Sequence, residues 1–429
     1  MPYRQCSKAN LDLDSSPNCC LRGLMNKNIT TPNTICCFIA GPLHSPSLLR
    51  AIKRLGISVY GQQPIAPLPK TITVLKDAKA ISLMQDKDTA VMINWEASLS
   101  FILQNLPKQR LNQVNTFKNK AIFRRLFKDL YPDLFYLELT RDALGDFKFP
   151  REIDKVVLKP SIGTASIGVR IVHGQEEWDQ AVDWVLEDID RATKQMNSTV
   201  LSDSYFLVEE FVEGEEFACD GFWDKNGKTI ITGIYQHPFL SNSDVSDTLY
   251  YTSKQVVAKT IEPTMAVMNY IGAKLDLRRF PFHFEFRLSS NGTLFPIELN
   301  PLRFGEVALP DTVEYAFGFN PYELFFTDES PDWNSLLANV DTSKIYAFII
   351  GSLPPHYTPK KYLIDQESFR KIFGNRLLNY LPSDPTISPF FGVAHIVADK
   401  VEDVLDYLHL DFERFLHPCF EPSPIKLAL

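Results

Sequence analysis

Two stretches, HFEFRLS and PIELNPLRFGE, alternate apolar and polar side chains on either side of SSNG, and this pairing constrains the fold more than any other feature of the chain. Strand residues two apart share a face. His283, Glu285 and Arg287 therefore project one way on the first strand, as Glu298 and Asn300 do on the second. Asn291-Gly292 supplies a turn suited to an antiparallel hairpin. Two carboxylates and an amide oxygen on adjacent strands are hard donors of the kind that hold Mg²⁺, the remaining positions being left to water and phosphate. Glu285, Glu298 and Asn300 are therefore the expected metal ligands.

At 429 residues the chain is too long for one compact core, and two or three domains are expected. Its 45% hydrophobic and 22% charged residues match a soluble globular protein. A net charge of −8 argues against a general binder of nucleic acid or anionic membrane, so any phosphate site must be built locally. The seven cysteines, including the pairs Cys19-Cys20 and Cys36-Cys37, have neither metal-ligand nor framework spacing, which fits a reducing cytoplasm. No apolar run reaches the about 18 residues that span a bilayer, and the first residues lack the order of a signal peptide.

Residues 1–33 are rich in Asn, Ser, Asp and Pro without periodicity and read as a poorly ordered extension, with Met1 and Met25 both open as starts. Residues 34–115 read as an N-terminal βαβ domain. ICCFIAG is a strand, PSLLRAIKRLG a helix and ISVYGQ a strand, followed by KAISLM and AVMINW as strands and EASLSFILQNL as a helix. The loop GPLHSP has one glycine and no dinucleotide fingerprint. Within 116–335 the pattern predicts a helix over KNKAIFRRLFKDL, a strand, glycine turn and strand over KVVLKPSIGTASIGVRIV, and an amphipathic helix over EEWDQAVDWVLEDIDRATKQM. YFLVEEFV is a further strand, a hairpin turns at Lys225-Asn226-Gly227, and a helix around TIEPTMAVMNYIGAKL precedes the metal hairpin. Residues 336–429 supply a small closing α/β domain.

Lys159 ends an apolar strand and faces a loop containing Gly163, Thr164, Ser166 and Gly168. Small residues let backbone amides approach phosphate oxygens, hydroxyls add donors, and an ammonium offsets charge. The loop is not a Walker A sequence, because no Gly-Lys-Ser/Thr closes it. In order, NKAIFRRLF, VVLKPSIGTASIGV, LVEEFVEGEEF, HFEF and IELNPLRFGE resemble the nucleotide and metal elements of the ATP-grasp superfamily, over roughly Lys118 to Gly305. The spacing of Glu285, Glu298 and Asn300 also resembles that of the D-alanine:D-alanine ligases.

The resemblance implies an α/β ATP-grasp fold: an N-terminal βαβ domain, a two-subdomain core with antiparallel sheets, and a small C-terminal α/β domain. It implies ATP with Mg²⁺, for which Mn²⁺ can substitute. Lys120 and Lys159 would then meet phosphates beneath the 163–168 loop. Glu209 and the backbone of Glu210 and Val212 would hold adenine, Glu216 the ribose hydroxyls, and Glu285, Glu298 and Asn300 one or two metal ions. The chain departs from the family where Leu302 intervenes before Arg303, and where His283 stands in place of an arginine found in some D-alanine ligases. Lys118 competes with Lys120 for the first phosphate role.

The resemblance also implies an ADP-forming ligase. A small carboxylate becomes an acylphosphate and is joined to an amine, with Arg303 and His283 as candidates to stabilise the acylphosphate or the tetrahedral oxyanion. Tyr235, His237, Asp244, Asp247 and Arg279 lie where an acceptor could bind, although loop aspartates more often close turns. Cys219 reads as a packed strand residue. A catalytically silent ATP-binding scaffold and a kinase on the same fold stay open. The expected partners are a small-molecule carboxylate and an amine, not nucleic acid or membrane, in the cytoplasm; a homodimer is left open.

Overall fold

The computed structural model of the protein describes residues 35–163, 167–194, 201–241, 244, 246–341 and 343–419, and the expected extension over 1–33 lies outside them. Strand β1 (Ile35–Gly41) is buried along its whole length. Helix α1 (Pro46–Leu55) begins where the Ser45 hydroxyl accepts from the Leu48 amide and Pro46 presets the first turn; it ends at Gly56, in the left-handed region at φ 66°. Strands β2 (Val59–Ile65) and β3 (Ala90–Ile93) flank β1 in a parallel sheet of order β2-β1-β3.

The stretch KAISLM, expected as a strand, lies instead in helix α2 (Asp77–Met84). Only Ala80 and Met84 are buried there. They stand four residues apart, so one helical face serves the core, whereas a strand would have alternated. After the short helix α3 (Leu99–Leu103), helix α4 (Lys108–Lys118) crosses the expected 115/116 boundary. The single helix expected over 118–130 is divided. Asn119 leaves helical geometry (φ −95°, ψ 107°) and its side chain caps α5 (Lys120–Leu126) by accepting from the Ile122 amide at 2.9 Å.

The next four strands, β4 (Tyr136–Thr140), β5 (Lys155–Pro160), β6 (Arg170–His173) and β7 (Tyr205–Glu210), form an antiparallel sheet of order β4-β7-β5-β6. Helix α6 (Gly174–Ala192) covers it with Trp178, Val182, Val185 and Ile189, giving this sheet a hydrophobic core of its own. A larger sheet begins with β8 (Glu215–Trp223), β9 (Thr229–Gln236) and β10 (Leu249–Thr252). Helix α7 (Lys254–Leu275) then packs so closely that a Cβ at Gly272 would come within 2.2 Å of Trp223 Nε1. The predicted hairpin follows as β11 (Phe280–Leu288) and β12 (Leu294–Pro301).

The chain continues through helices α8 (Asp311–Phe317), α9 (Pro321–Thr327) and α10 (Trp333–Asn339) into β13 (Ile345–Ser352). A two-stranded ribbon pairs β14 (Tyr362–Ile364) with a late strand, Leu416–Pro418. Strands β15 (Leu377–Pro382) and β16 (Phe390–Ala398) join β13, so that the large sheet has order β12-β11-β8-β9-β10-β13-β16-β15. Much of the expected closing segment thus continues the sheet that carries the β11–β12 hairpin. Among the described residues no helix is long and apolar enough to cross a membrane.

The N-terminal unit shares one hydrophobic core with the large sheet and is pinned to it by polar contacts. The Ile93 amide donates to Leu302 O at 2.8 Å, and Arg50 pairs with Glu314 at 2.6 Å. Asp311 accepts from the Ser45 hydroxyl and from the Ser47 amide (3.3 Å) at the start of α1. Burial pushes the Asp311 carboxyl up to about 7. Because its folded pKa lies above the unfolded one, its contribution is full below the ordinary carboxylate value and is lost as pH rises toward about 7. Asp311→Asn should therefore gain stability relative to the parent as pH is raised from about 4 to about 7, with no further change above. Paired thermal melts across that range check this; a pH-independent difference would contradict it.

Candidate functional site

Three strands set out the site as rows. Across β8, β11 and β12 the register places Asp220 beside His283 and His283 beside Asn300. One step on it sets Ala218, Glu285 and Glu298 abreast, and beyond them Glu216 beside Arg287. Residues two apart share a face, so these polar groups form one surface. The opposite face carries Phe217, Phe282, Phe284 and Phe286, each fully buried. Phe217 stacks on Phe286 with centroids 5.5 Å apart, and Trp223 packs on Phe282 at 4.5 Å. The apolar face holds the strands in register, and the polar face inherits that order.

A cleft runs between this surface and the smaller sheet. Lys120, Lys159, Gly163, Glu209, Glu210, Val212, Glu216, Glu285 and Glu298 all line it, with Val157, Ile171, Phe211 and Phe295 as apolar wall. Lys120, in the first turn of α5, reaches Glu298 at 2.9 Å and donates to Gly163 O at 3.1 Å. Burial lowers its pKa, but Glu298 and the neighbouring carboxylates outweigh that and raise it, so it is a firm cation. Lys118, its rival, is turned instead to Glu96.

Lys159 meets Glu209 at 2.5 Å, and Arg124 binds the other oxygen of the same carboxylate at 2.7 Å. Arg124 also donates to Pro296 O at 2.7 Å. The Glu209 side chain is thus engaged by two cations, and burial lowers the Lys159 pKa despite Glu209. Arg124 is not one of the site residues expected from the sequence, yet it lies four residues after Lys120 in KAIFR, on the same helical face. Gly168 has φ 67°, and its amide donates to Asp188 at 2.9 Å; Thr164 and Ser166 lie outside the described residues.

Glu285 and Glu298 are direct cross-strand partners. The Asn300 amide nitrogen lies 3.1 Å from Glu298 and 3.4 Å from Glu285. Turning that amide over presents its oxygen instead, giving three hard oxygens on two strands. Burial and the adjacent Glu298 push Glu285 well above the usual carboxylate range. For Glu298 burial acts the same way, but Lys120 overrides it and holds the group well below that range. An oxygen-seeking cation would relieve this crowding, so the residues fit Mg²⁺. Among the described residues no group of three His, Cys, Asp or Glu able to hold a metal occurs, and the set here is two carboxylates and an amide.

His283 faces the same centre, with Nε2 3.5 Å from Glu285, while its Nδ1 lies 2.8 Å from Asp220. Asp220, fully buried, also accepts from the Tyr235 hydroxyl (3.1 Å) and the Gly305 amide (2.7 Å). The alternation Glu216, Ala218, Asp220 in EFACD could have revealed it. Leu302 is fully buried with φ 63°; its amide donates to Pro281 O, and its carbonyl accepts from Ile93. Arg303, just beyond, lies 3.5 Å from both Glu96 and Glu306 and donates to Phe304 O at 3.2 Å. Of the acceptor-side candidates, Tyr235 is taken by Asp220, Asp244 accepts from the Leu240 and Ser246 amides, and Asp247 accepts from the Tyr250 hydroxyl. His237 and Asp247 also line the cleft. Cys219 is buried.

A family model described as an ATP-grasp domain matches residues 153–311. A D-alanine–D-alanine ligase from Bacillus anthracis is 30% identical over 131 residues, which are 30% of this chain and 34% of that protein; the chain thus spans about a third of the length of this curated relative. Among solved structures, an L-amino acid ligase from Bacillus licheniformis is similar with a TM-score of 0.62 at 16% identity, covering 92% of this chain and 100% of that one. An N5-carboxyaminoimidazole ribonucleotide synthetase from Thermotoga maritima gives 0.58 at 15%, over 90% and 100%. At these identities the likenesses establish fold.

Removing Arg124 strands half of a buried carboxylate's partners. Arg124→Met should destabilise the protein by roughly 1.5–3 kcal/mol, the scale of losing charged hydrogen bonds, since Lys159 still pairs with the carboxylate. Urea denaturation of parent and variant measures this; a loss within about 0.5 kcal/mol, typical of a surface change, would refute it.

Proposed function

Residues 153–311 match an ATP-grasp domain, and from that premise we propose that the chain is an ADP-forming ligase that activates a small carboxylate and joins it to an amine. The observation that supports this reading most is the convergence of Lys120, Lys159, Glu285 and Glu298 on one cleft between two antiparallel sheets. Retaining both lysines and both carboxylates suits turnover more than simple binding.

In this reading the substrate carboxylate attacks the γ-phosphate of ATP, giving an acylphosphate and ADP, and an amine then displaces phosphate from the acyl carbon. Lys120 and Lys159 offset phosphate charge. Val157, Ile171 and Phe295 give the base an apolar slot. Glu210 and Val212 offer backbone groups to the adenine edge, and Glu216 accepts from the ribose hydroxyls. Glu285, Glu298 and Asn300 would hold Mg²⁺, which supplies charge neutralisation at the phosphates. His283, 3.5 Å from Glu285, and Arg303, beside Glu96 of the N-terminal unit, are the groups offered to the acyl centre, where a guanidinium suits an acylphosphate or a tetrahedral oxyanion.

The experiment is Mg²⁺-dependent release of ADP and phosphate against pooled amino acids and small carboxylates. Parent protein should show substrate-stimulated release with a joined product, and Glu298→Ala should lose roughly 100-fold or more of it, the scale of removing a group that stabilises developing charge. A stable phosphorylated product would instead indicate a kinase. Nucleotide binding without turnover by any pool would favour the scaffold.

A further inference from the structure

Arg287 takes part in none of the roles above, yet it stands on β11 two residues from Glu285, facing the same cleft. We propose that Arg287 is a positioning residue for the nucleotide: a single guanidinium that fixes both the carboxylate facing the ribose and the linker facing the base. The inference rests on the nucleotide-binding part of the function proposed above.

Three contacts carry it. Arg287 and Glu216 are cross-strand partners, and Nε lies 3.0 Å from Glu216 Oε2. On its other side, Nη1 donates to Val212 O at 2.9 Å, in the segment that joins the two sheets. The guanidinium plane lies over Phe211, 4.4 Å from the ring centroid, while Lys155 of the smaller sheet approaches that same ring at 5.2 Å. Arg287 therefore connects β8, the linker and, through Phe211, the vicinity of the smaller sheet.

The second oxygen of Glu216 faces His237 Nδ1 at 3.6 Å. That imidazole is itself fixed, stacked on Tyr250 with centroids 4.0 Å apart, beside Phe239 at 4.2 Å, and with Nε2 3.2 Å from Ser246 O. A carboxylate has about four acceptor directions, so one held at each oxygen still has lone pairs for two hydroxyls. Left alone, the Glu216 carboxylate would be a buried anion near Glu285. Arg287 supplies the charge and the directionality that keep it aimed into the cleft. A lysine at this position would carry the charge but could not span the carboxylate, the carbonyl and the ring together.

The test compares parent protein, Arg287→Met and Arg287→Lys for binding of Mg·ADP and Mg·2′,3′-dideoxyADP by isothermal titration calorimetry, with thermal melts recorded alongside. Turnover is not required. Arg287→Met, which keeps an apolar stem, should weaken ADP by about 10- to 100-fold, the range of a charge-assisted hydrogen bond. It should weaken dideoxyADP less, so that preference for the ribose hydroxyls falls toward one; Arg287→Lys should recover affinity only in part. Unchanged ADP binding in Arg287→Met, or equal weakening of both nucleotides with a lowered melting temperature, would overturn the positioning role. If parent protein itself does not bind ADP, the nucleotide reading fails with it, an outcome distinct from a parent that binds ADP with no dependence on Arg287.

Discussion

The three-stranded ribbon of β8, β11 and β12 is the constraint on which the rest depends. Its period of two divides β8 and β11 into an aromatic face and a polar face, and β12 pairs along the edge of β11. Phe217, Phe282, Phe284 and Phe286 exclude water on one side, and Trp223 ties that side to α7 by donating to Met268 O at 3.1 Å. A register slip of one residue would turn these rings outward and carry Glu285, Arg287 and Asp220 inward. Burial of the rings therefore fixes where the carboxylates stand, and the chemistry inherits its geometry from hydrophobic packing.

The polar face is crowded with charge that is paired in advance. Glu209 is shared by Arg124 and Lys159, Glu298 by Lys120 and Asn300, Glu216 by Arg287 and His237, and Glu96 by Lys118 and Arg303. The ion pairs among them join separate elements: α5 to β7, α5 to β12, β11 to β8, and the N-terminal unit to the segment after β12. Buried ion pairs add little net stability over apolar packing, but deleting one partner is costly, so such an array specifies a single arrangement more than it strengthens it. Glu285 is the member left without a strong cation, and burial beside Glu298 raises its pKa. That imbalance is the electrostatic mark of a centre suited to a cation.

Leu302 shows how a local departure is absorbed. Its left-handed backbone would be strained in isolation, yet its side chain is fully buried and both its backbone groups are bonded, one to β11 and one to β3. Leu302 thus joins the N-terminal unit to the end of the β11–β12 hairpin. Arg303 emerges beside Glu96 of that unit. One wall of the centre is consequently supplied by a segment far away in the chain.

Periodicity alone was enough to read the hairpin, with Glu285 opposite Glu298, because strand alternation is a local property and Asn291-Gly292 marks the turn. It also sufficed for the covering helix α6 and for the run of β5 into its glycine turn, where apolar spacing and turn residues agree. It misread KAISLM, since a short apolar stretch suits helix or strand until the partner surface selects Ala80 and Met84. It joined α4 to α5 because Asn119 acts through its cap geometry rather than its composition. What only the tertiary structure decided was pairing. Arg124 with Glu209, Asp220 with His283, Arg287 with Val212 and Lys118 with Glu96 bring together residues 22 to 85 positions apart, and no local pattern encodes which cation meets which carboxylate. The sequence determined which faces are polar through the short-range geometry of strands and helices. The tertiary structure chose the partners, because that choice depends on how separate sheets pack and on which charges are buried together.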